Sequence, residues 1–225
     1  MVRPVKSMSF ARQPLDAILA GTGSLRVMRA LLAHGGAIPV SRIAQDTALT
    51  PDGVRGVLRD LERTGIVKEL GSGRTRFYQV ISDHPIAVAL DALFAAERVR
   101  FEDIIASVTT AAKDIRIVAA WLFGSVARGE DTSDSDLDVA LVISAKPGEV
   151  DPIADQVRDL LQEHERRLGF TASIVSIPLA DLRRLSSEGS PLWSDLQKDV
   201  RALKGGPPER VLREAISFSA NKDRP

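Results

Sequence analysis

Cysteine is absent from this 225-residue chain, so neither a disulfide framework nor a cysteine-based zinc site is available to it. Only 3 histidines are present; His34, His84 and His164 stand far apart and follow no metal-ligand spacing. No apolar run approaches the ~18 residues of a membrane-spanning helix, and the N-terminus lacks the apolar stretch of a signal peptide. There is no internal repeat and no nucleophile elbow of the serine-hydrolase kind. Net charge is missing too, because 30 Lys+Arg balance 30 Asp+Glu. What remains is a soluble globular chain, 44% hydrophobic and 27% charged, with room for one or two domains. It is expected in the reducing cytoplasm, away from any membrane.

The zero balance conceals a division. Residues 1–82 hold 12 basic against 6 acidic side chains, and the remainder holds 18 against 24. A basic first part suggests a polyanionic partner. Its pattern begins with Ser24, a candidate cap after the lead-in Gly21-Thr22-Gly23, followed by a helix over residues 25–33 with Leu25, Met28, Leu31 and Leu32 on one face. His34-Gly35-Gly36 stops it. A second helix over 40–46 carries Val40, Ile43 and Ala44. Thr50 then caps a third with Pro51 at its first position, burying Val54, Val57, Leu58 and Leu61. Two β-rich runs around the tip Gly71-Ser72-Gly73-Arg74 read as a hairpin over 66–80. Three helices and a hairpin resemble the winged helix-turn-helix domains of bacterial transcription regulators. In that likeness, Arg55, Arg59 and Arg63 form one basic stripe on the recognition helix, and Arg74 and Arg76 sit on the wing. The resemblance implies double-stranded DNA as a partner. The plainer alternative is a solvated helix face or a protein contact.

The sharpest chemistry lies further on. Residues Ile117 to Phe123 are continuously apolar, as in a buried strand. Gly124-Ser125 follows as a turn, and after 10 intervening residues Asp136-Leu137-Asp138 opens a second apolar run. Alternation along a strand puts Asp136 and Asp138 on one side and Leu137, Val139 and Leu141 on the other. Two carboxylates side by side repel each other, and a divalent cation is the usual remedy. A glycine-serine turn brings backbone N–H groups near a phosphate, and Arg128 would add positive charge there.

This segment resembles the DNA polymerase beta-like nucleotidyltransferase superfamily, specifically its minimal nucleotidyltransferases, through Gly124, Ser125, Asp136 and Asp138. The resemblance implies a triphosphate held at Gly124, Ser125 and Arg128, and two Mg2+ ions on Asp136 and Asp138, which would be the catalytic and metal-binding residues. It also implies transfer of a nucleoside monophosphate from an NTP to an acceptor, with a protein or nucleic acid favoured. Related minimal nucleotidyltransferases modify antibiotics or transfer AMP to partner proteins in toxin–antitoxin pairs. One departure stands out. Active members usually carry a third carboxylate on a later neighbouring strand, and the corresponding run Phe170 to Ile177 has none; Ala172 or Ser173 stands about where one is expected. Fewer metal ligands leave room for one ion only, and for an acid arriving from Asp181, Glu188 or a partner chain.

Asp83 is expected to cap a helix from Pro85 to Lys113 whose apolar positions, among them Ile86, Leu90, Leu93 and Phe94, suit a homodimer or an internal brace. A helix over 151–168 should join the acid-bearing strand to the run at 170–177. Shorter helical pieces at 181–185 and 193–203 should follow, with Trp121 and Trp193 in the core. The expected class is α+β: a winged helix-turn-helix at 1–82, a connecting helix at 83–114, and a nucleotidyltransferase-like domain at 115–205 with a small mixed sheet flanked by helices. A C-terminal extension at 206–225 completes the chain. The functional expectation is a Mg-dependent nucleotidyltransferase coupled to DNA binding. The alternative is a winged-helix transcriptional regulator whose degenerate domain binds nucleotide or only scaffolds.

Overall fold

In the computed structural model, residues 21–71, 76–146 and 148–222 are described, together with Arg12. The chain divides into two units, residues 1–99 and 100–225. Their boundary falls inside one long helix.

The first unit runs α1 (Thr22–His34), β1 (Ile38–Pro39), α2 (Val40–Thr47), α3 (Pro51–Arg63), β2 (Val67–Leu70), β3 (Phe77–Val80), and then the first part of α4 (Pro85–Ala111). The start of α3 is locally determined. Thr50 accepts a hydrogen bond from the Gly53 N–H at 3.1 Å, and Pro51 occupies the first turn, where no N–H is needed. Ser24, expected as a cap, lies inside α1, whose N-cap is Gly21. The helix therefore starts earlier than its side-chain signal. Asp83 does not cap α4 either; instead the Ile86 N–H donates to His84 Nδ1 at 3.3 Å. Strand β1, unexpected from sequence, pairs antiparallel with β3, which pairs on its other side with β2. Leu25, Met28, Leu31, Ile43, Val54, Leu58 and Phe94 fill the core beneath. Full burial of each such side chain contributes about 1.5–3 kcal/mol. Glu97 is buried as well, and it accepts from Arg29, whose guanidinium lies 4.6 Å from the Phe94 ring centroid.

The second unit continues with the rest of α4, then β4 (Ile117–Leu122), α5 (Gly124–Arg128), β5 (Leu137–Ile143), α6 (Val150–Leu168) and β6 (Ala172–Pro178). A 3-10 turn at Leu179–Asp181 leads into α7 (Leu182–Ser187), α8 (Pro191–Asp199), β7 (Arg201–Lys204) and α9 (Pro208–Lys222). Sheet order is β6-β5-β4-β7, with β5 and β6 parallel and the other pairs antiparallel. One face carries Ala119, Trp121, Ala140, Val142 and Ile177, covered by Leu182, Trp193, Leu196 and Val211 from α7, α8 and α9. The helix expected over 193–203 ends at Asp199, and residues 201–204 form an edge strand beside β4. Val200 is already extended, so the ladder captures the residues after it.

Three hydrogen-bonded ties hold the unit together. Lys204 Nζ donates to the carbonyls of Ala112 and Asp114 at 2.8 and 2.7 Å, satisfying acceptors just past the end of α4. Arg100 does the same for Leu168 and Gly169 at the end of α6, at 2.7 and 2.8 Å. Trp121 Nε1 donates to the Gly206 carbonyl at 2.8 Å. Left unpaired, that buried donor would cost about 1–3 kcal/mol.

Candidate functional site

Strand β4 runs into Phe123, whose extended backbone donates its N–H to the Asp138 carbonyl at 3.0 Å. The next residue reverses the chain. Gly124 has φ +74°, and a Cβ built on it would overlap the Asp138 carboxylate. Two demands therefore meet at one position: a left-handed backbone and no side chain. Expected as a turn, Gly124-Ser125 instead opens α5, a 5-residue helix closed by Gly129 at φ +71°. The Glu130 N–H returns to the Ser125 carbonyl at 2.9 Å.

Asp138 sits on β5, on the face it shares with Ala140 and Val142. Asp136 is exposed, one residue before the strand begins. Burial pushes the Asp138 carboxyl above its ordinary value. The Ser173 side chain and the Arg128 charge act the other way, while the negative charge of Asp136 adds to the rise. Desolvation wins, so this carboxylate lacks full compensation from the protein. In the parallel ladder Asp138 is paired with Ser173. The neighbouring strand thus offers a hydroxyl at the very position beside the acid.

Arg128 is within electrostatic reach of Asp138, yet its Nε donates to Glu130 Oε2 at 2.8 Å. Asp199 and Asp195, from α8, also act on it. Sequence reasoning missed these three acids. Glu130 carried a signal by proximity, whereas Asp195 and Asp199 arrive only through the packing of α8 against α5.

The basic residues of the first unit are distributed differently. Arg55, Arg59 and Arg63 all lie exposed on α3. Arg55 pairs with Asp52 at 2.6 Å and Arg63 with Asp60 at 3.4 Å, both within the helix. Arg59 makes no ion pair among the described residues. Arg76 meets Glu69 at 3.3 Å across the hairpin, and the Tyr78 hydroxyl donates to the same carboxylate at 3.1 Å. Arg74 lies outside the described residues.

Among the described residues, no group of three or more His, Asp or Glu is placed to hold a metal ion. Asp136 and Asp138 still fit a hard cation in part. They are two adjacent oxygen donors, one of them partly desolvated, and a bound polyphosphate and water would have to complete the shell. No helix among the described residues is long and apolar enough to cross a membrane.

Comparison with known proteins locates the same region. Residues 103–187 match the family described as Polymerase beta, Nucleotidyltransferase. Members of that family usually use Mg2+ and an NTP. A search among curated proteins found no match. Among solved structures, a toxin–antitoxin crystallised with AMP-PNP is 20% identical, with 53% of this chain and 87% of that chain covered at a TM-score of 0.34. A mutant form of the toxin–antitoxin MntA-HpeT is 18% identical over the same shares, also at 0.34. At these scores the two likenesses bear on nothing that follows. Residues 103–187 are therefore similar to nucleotidyltransferase domains of the polymerase beta type.

Proposed function

We propose that the second unit binds a nucleoside triphosphate with Mg2+ at Gly124, Ser125, Asp136 and Asp138, and transfers its nucleoside monophosphate to an acceptor hydroxyl. The acceptor oxygen bonds to the α-phosphorus, the bond from that phosphorus to the β-phosphate oxygen breaks, pyrophosphate leaves, and the hydroxyl proton passes to solvent. The bound cation would supply charge neutralisation at the phosphates. Gly124 and Ser125 would bring backbone N–H groups to the triphosphate, and Arg128 would exchange Glu130 for a phosphate oxygen. The observation that carries this reading is the left-handed Gly124, whose missing Cβ leaves room for the Asp138 carboxylate against the turn. Calorimetric titration of the four ribonucleoside triphosphates with Mg2+, into wild type and Asp138→Asn, tests it. Cation-dependent binding lost in the variant is expected; equal binding by both would sink it. A protein or nucleic-acid acceptor is favoured.

Ser173 beside Asp138 favours a second reading, in which the domain binds nucleotide and serves as a sensor or scaffold without turnover. Binding without pyrophosphate release in the presence of cell-derived acceptors would select it.

The first unit, with its order helix, strand, helix, helix, strand, strand, suits a winged helix-turn-helix that binds double-stranded DNA through Arg55, Arg59 and Arg63, with Arg74 and Arg76 on the wing. Its binding should weaken steeply with salt and fall further in an Arg55→Ala, Arg59→Ala double variant. Unchanged affinity would refute the assignment. Exposed Ile86, Val88, Leu93 and Val99 on α4 support a homodimer, which sedimentation of the whole chain checks.

A further inference from the structure

We infer that this domain holds one divalent cation per nucleotide, not two, because position 173 beside Asp138 carries a serine and not an acid. The inference rests on the triphosphate reading above. In the β5–β6 ladder, Ser173 is the partner of Asp138, and partners in a parallel ladder share a face about 4.8 Å apart. Ser173 thus stands beside the Asp138 carboxylate, on the strand from which a further anionic ligand for a second ion would have to come. A serine at that position offers a neutral hydroxyl, not an anionic ligand.

Two cations flanking a transferred phosphoryl group lie only about 3.5–4 Å apart and repel strongly. The ion on the triphosphate can draw on phosphate oxygens as well as Asp136 and Asp138. An ion on the acceptor's side has only the protein to draw on, and a shared pair of carboxylates cannot neutralise both.

Among the described residues no third His, Asp or Glu joins Asp136 and Asp138 in a group that could hold a metal ion. Asp181 lies past the far end of β6. From Ser173 to Pro178 the strand advances about 16 Å at ~3.3 Å per residue. Asp195 and Asp199 act on Arg128, whereas the charges acting on Asp138 are Asp136 and Arg128. The one-ion site accordingly retains the nucleotide but leaves the acceptor hydroxyl without a metal of its own.

Equilibrium dialysis of the full chain tests this, with Mn2+ as probe and each of the four ribonucleoside triphosphates in turn. The readout is the ratio of Mn2+ to nucleotide retained in excess on the protein side. Wild type and Ser173→Ala should both give one. Ser173→Asp, which restores an acid at that position, should give two while keeping its thermal midpoint and one nucleotide per chain. A ratio of two in wild type would overturn the inference and leave the nucleotide reading standing. A folded Ser173→Asp that stays at one would overturn the role of Ser173. No retained nucleotide at all would overturn both readings together.

Discussion

Two rows of like charge, one on helix α3 and one at the start of strand β5, follow from sequence spacing, and the fold treats them in opposite ways. On α3 the flanking arginines each find an acid three residues earlier, Asp52 for Arg55 and Asp60 for Arg63. All of these groups are exposed, so water and salt screen them and each pair is worth little. At β5 the local sequence supplies no such balance. Asp138 is half-buried beside another acid, and its carboxyl is raised by desolvation despite Ser173 and Arg128. A row of charge on a solvated helix costs little and says little. Charge at a sheet end that the protein compensates only in part carries a cost, and that cost is the ground for the ligand proposed there.

The most direct way to break that contrast is Asp138→Asn. Cation-dependent triphosphate affinity should fall about a hundredfold or more, while Arg55→Ala leaves it untouched; titration calorimetry on both variants decides.

A pair of glycines sharpens it next. Gly124 and Gly35 have nearly the same backbone, φ +74° and +71°, but a Cβ at Gly35 would meet nothing within 4 Å. Gly35→Ala should therefore cost only the left-handed conformation, about 1–2 kcal/mol. Gly124→Ala should cost more in thermal denaturation and should also lose nucleotide, since its Cβ displaces the Asp138 carboxylate.

Arg59 offers a smaller effect. If the α3 stripe meets phosphates, removing this arginine should lower the salt dependence of DNA affinity by about one unit of slope. Arg55 and Arg63, already paired, should change it less.

The smallest effect is one of pH, and the two acids concerned have opposite signs. Hydrogen bonds from Arg116 hold Asp114 down to about 2. Its contribution to stability is present above its unfolded value and disappears as pH falls from about 4 to about 2. Asp114→Asn should flatten that limb of an acid-unfolding curve. Asp138 is raised, so the folded state holds its proton more tightly than the unfolded chain does. Stability then declines as pH climbs from the unfolded value through the raised one, and Asp138→Asn removes the decline. Bound cation competes with that same proton, so nucleotide affinity should weaken on acidification earlier than for an ordinary carboxylate.

Local signals were the legible ones. Thr50 and Pro51 announced α3, the spacing of Leu25, Met28 and Leu31 announced the buried face of α1, and continuous apolar runs announced β4 and β5. The candidate site draws on signals just as local, because Gly124, Ser125, Asp136 and Asp138 lie within fifteen residues of one another. Features made by distant partners stayed hidden. Ile38-Pro39 is too short to read as a strand until β3 lies beside it, and Arg201–Lys204 reads as a helix end until β4 offers its edge. Nothing in the sequence ties Asp195 and Asp199 to Arg128. The lack of an acid in the run Phe170 to Ile177 was visible, but only the β5–β6 register shows that Ser173, not Ala172, is the partner of Asp138.

The last twenty residues of the described chain have a bearing on where this protein can be divided. The recognised family stretch stops at 187, yet β7 beyond it is the strand that closes the β4 edge. Gly205 then turns so tightly that a side chain would strike the Val118 carbonyl, Gly206 receives the Trp121 indole proton, and Val211 is buried on the sheet face. A fragment ended at 187 would bare one sheet edge, and one ended at 205 would strand an indole N–H and uncover Trp121. Excision of the second unit for use elsewhere therefore has to carry the chain through α9, because the structural unit is longer than the stretch that matches the family.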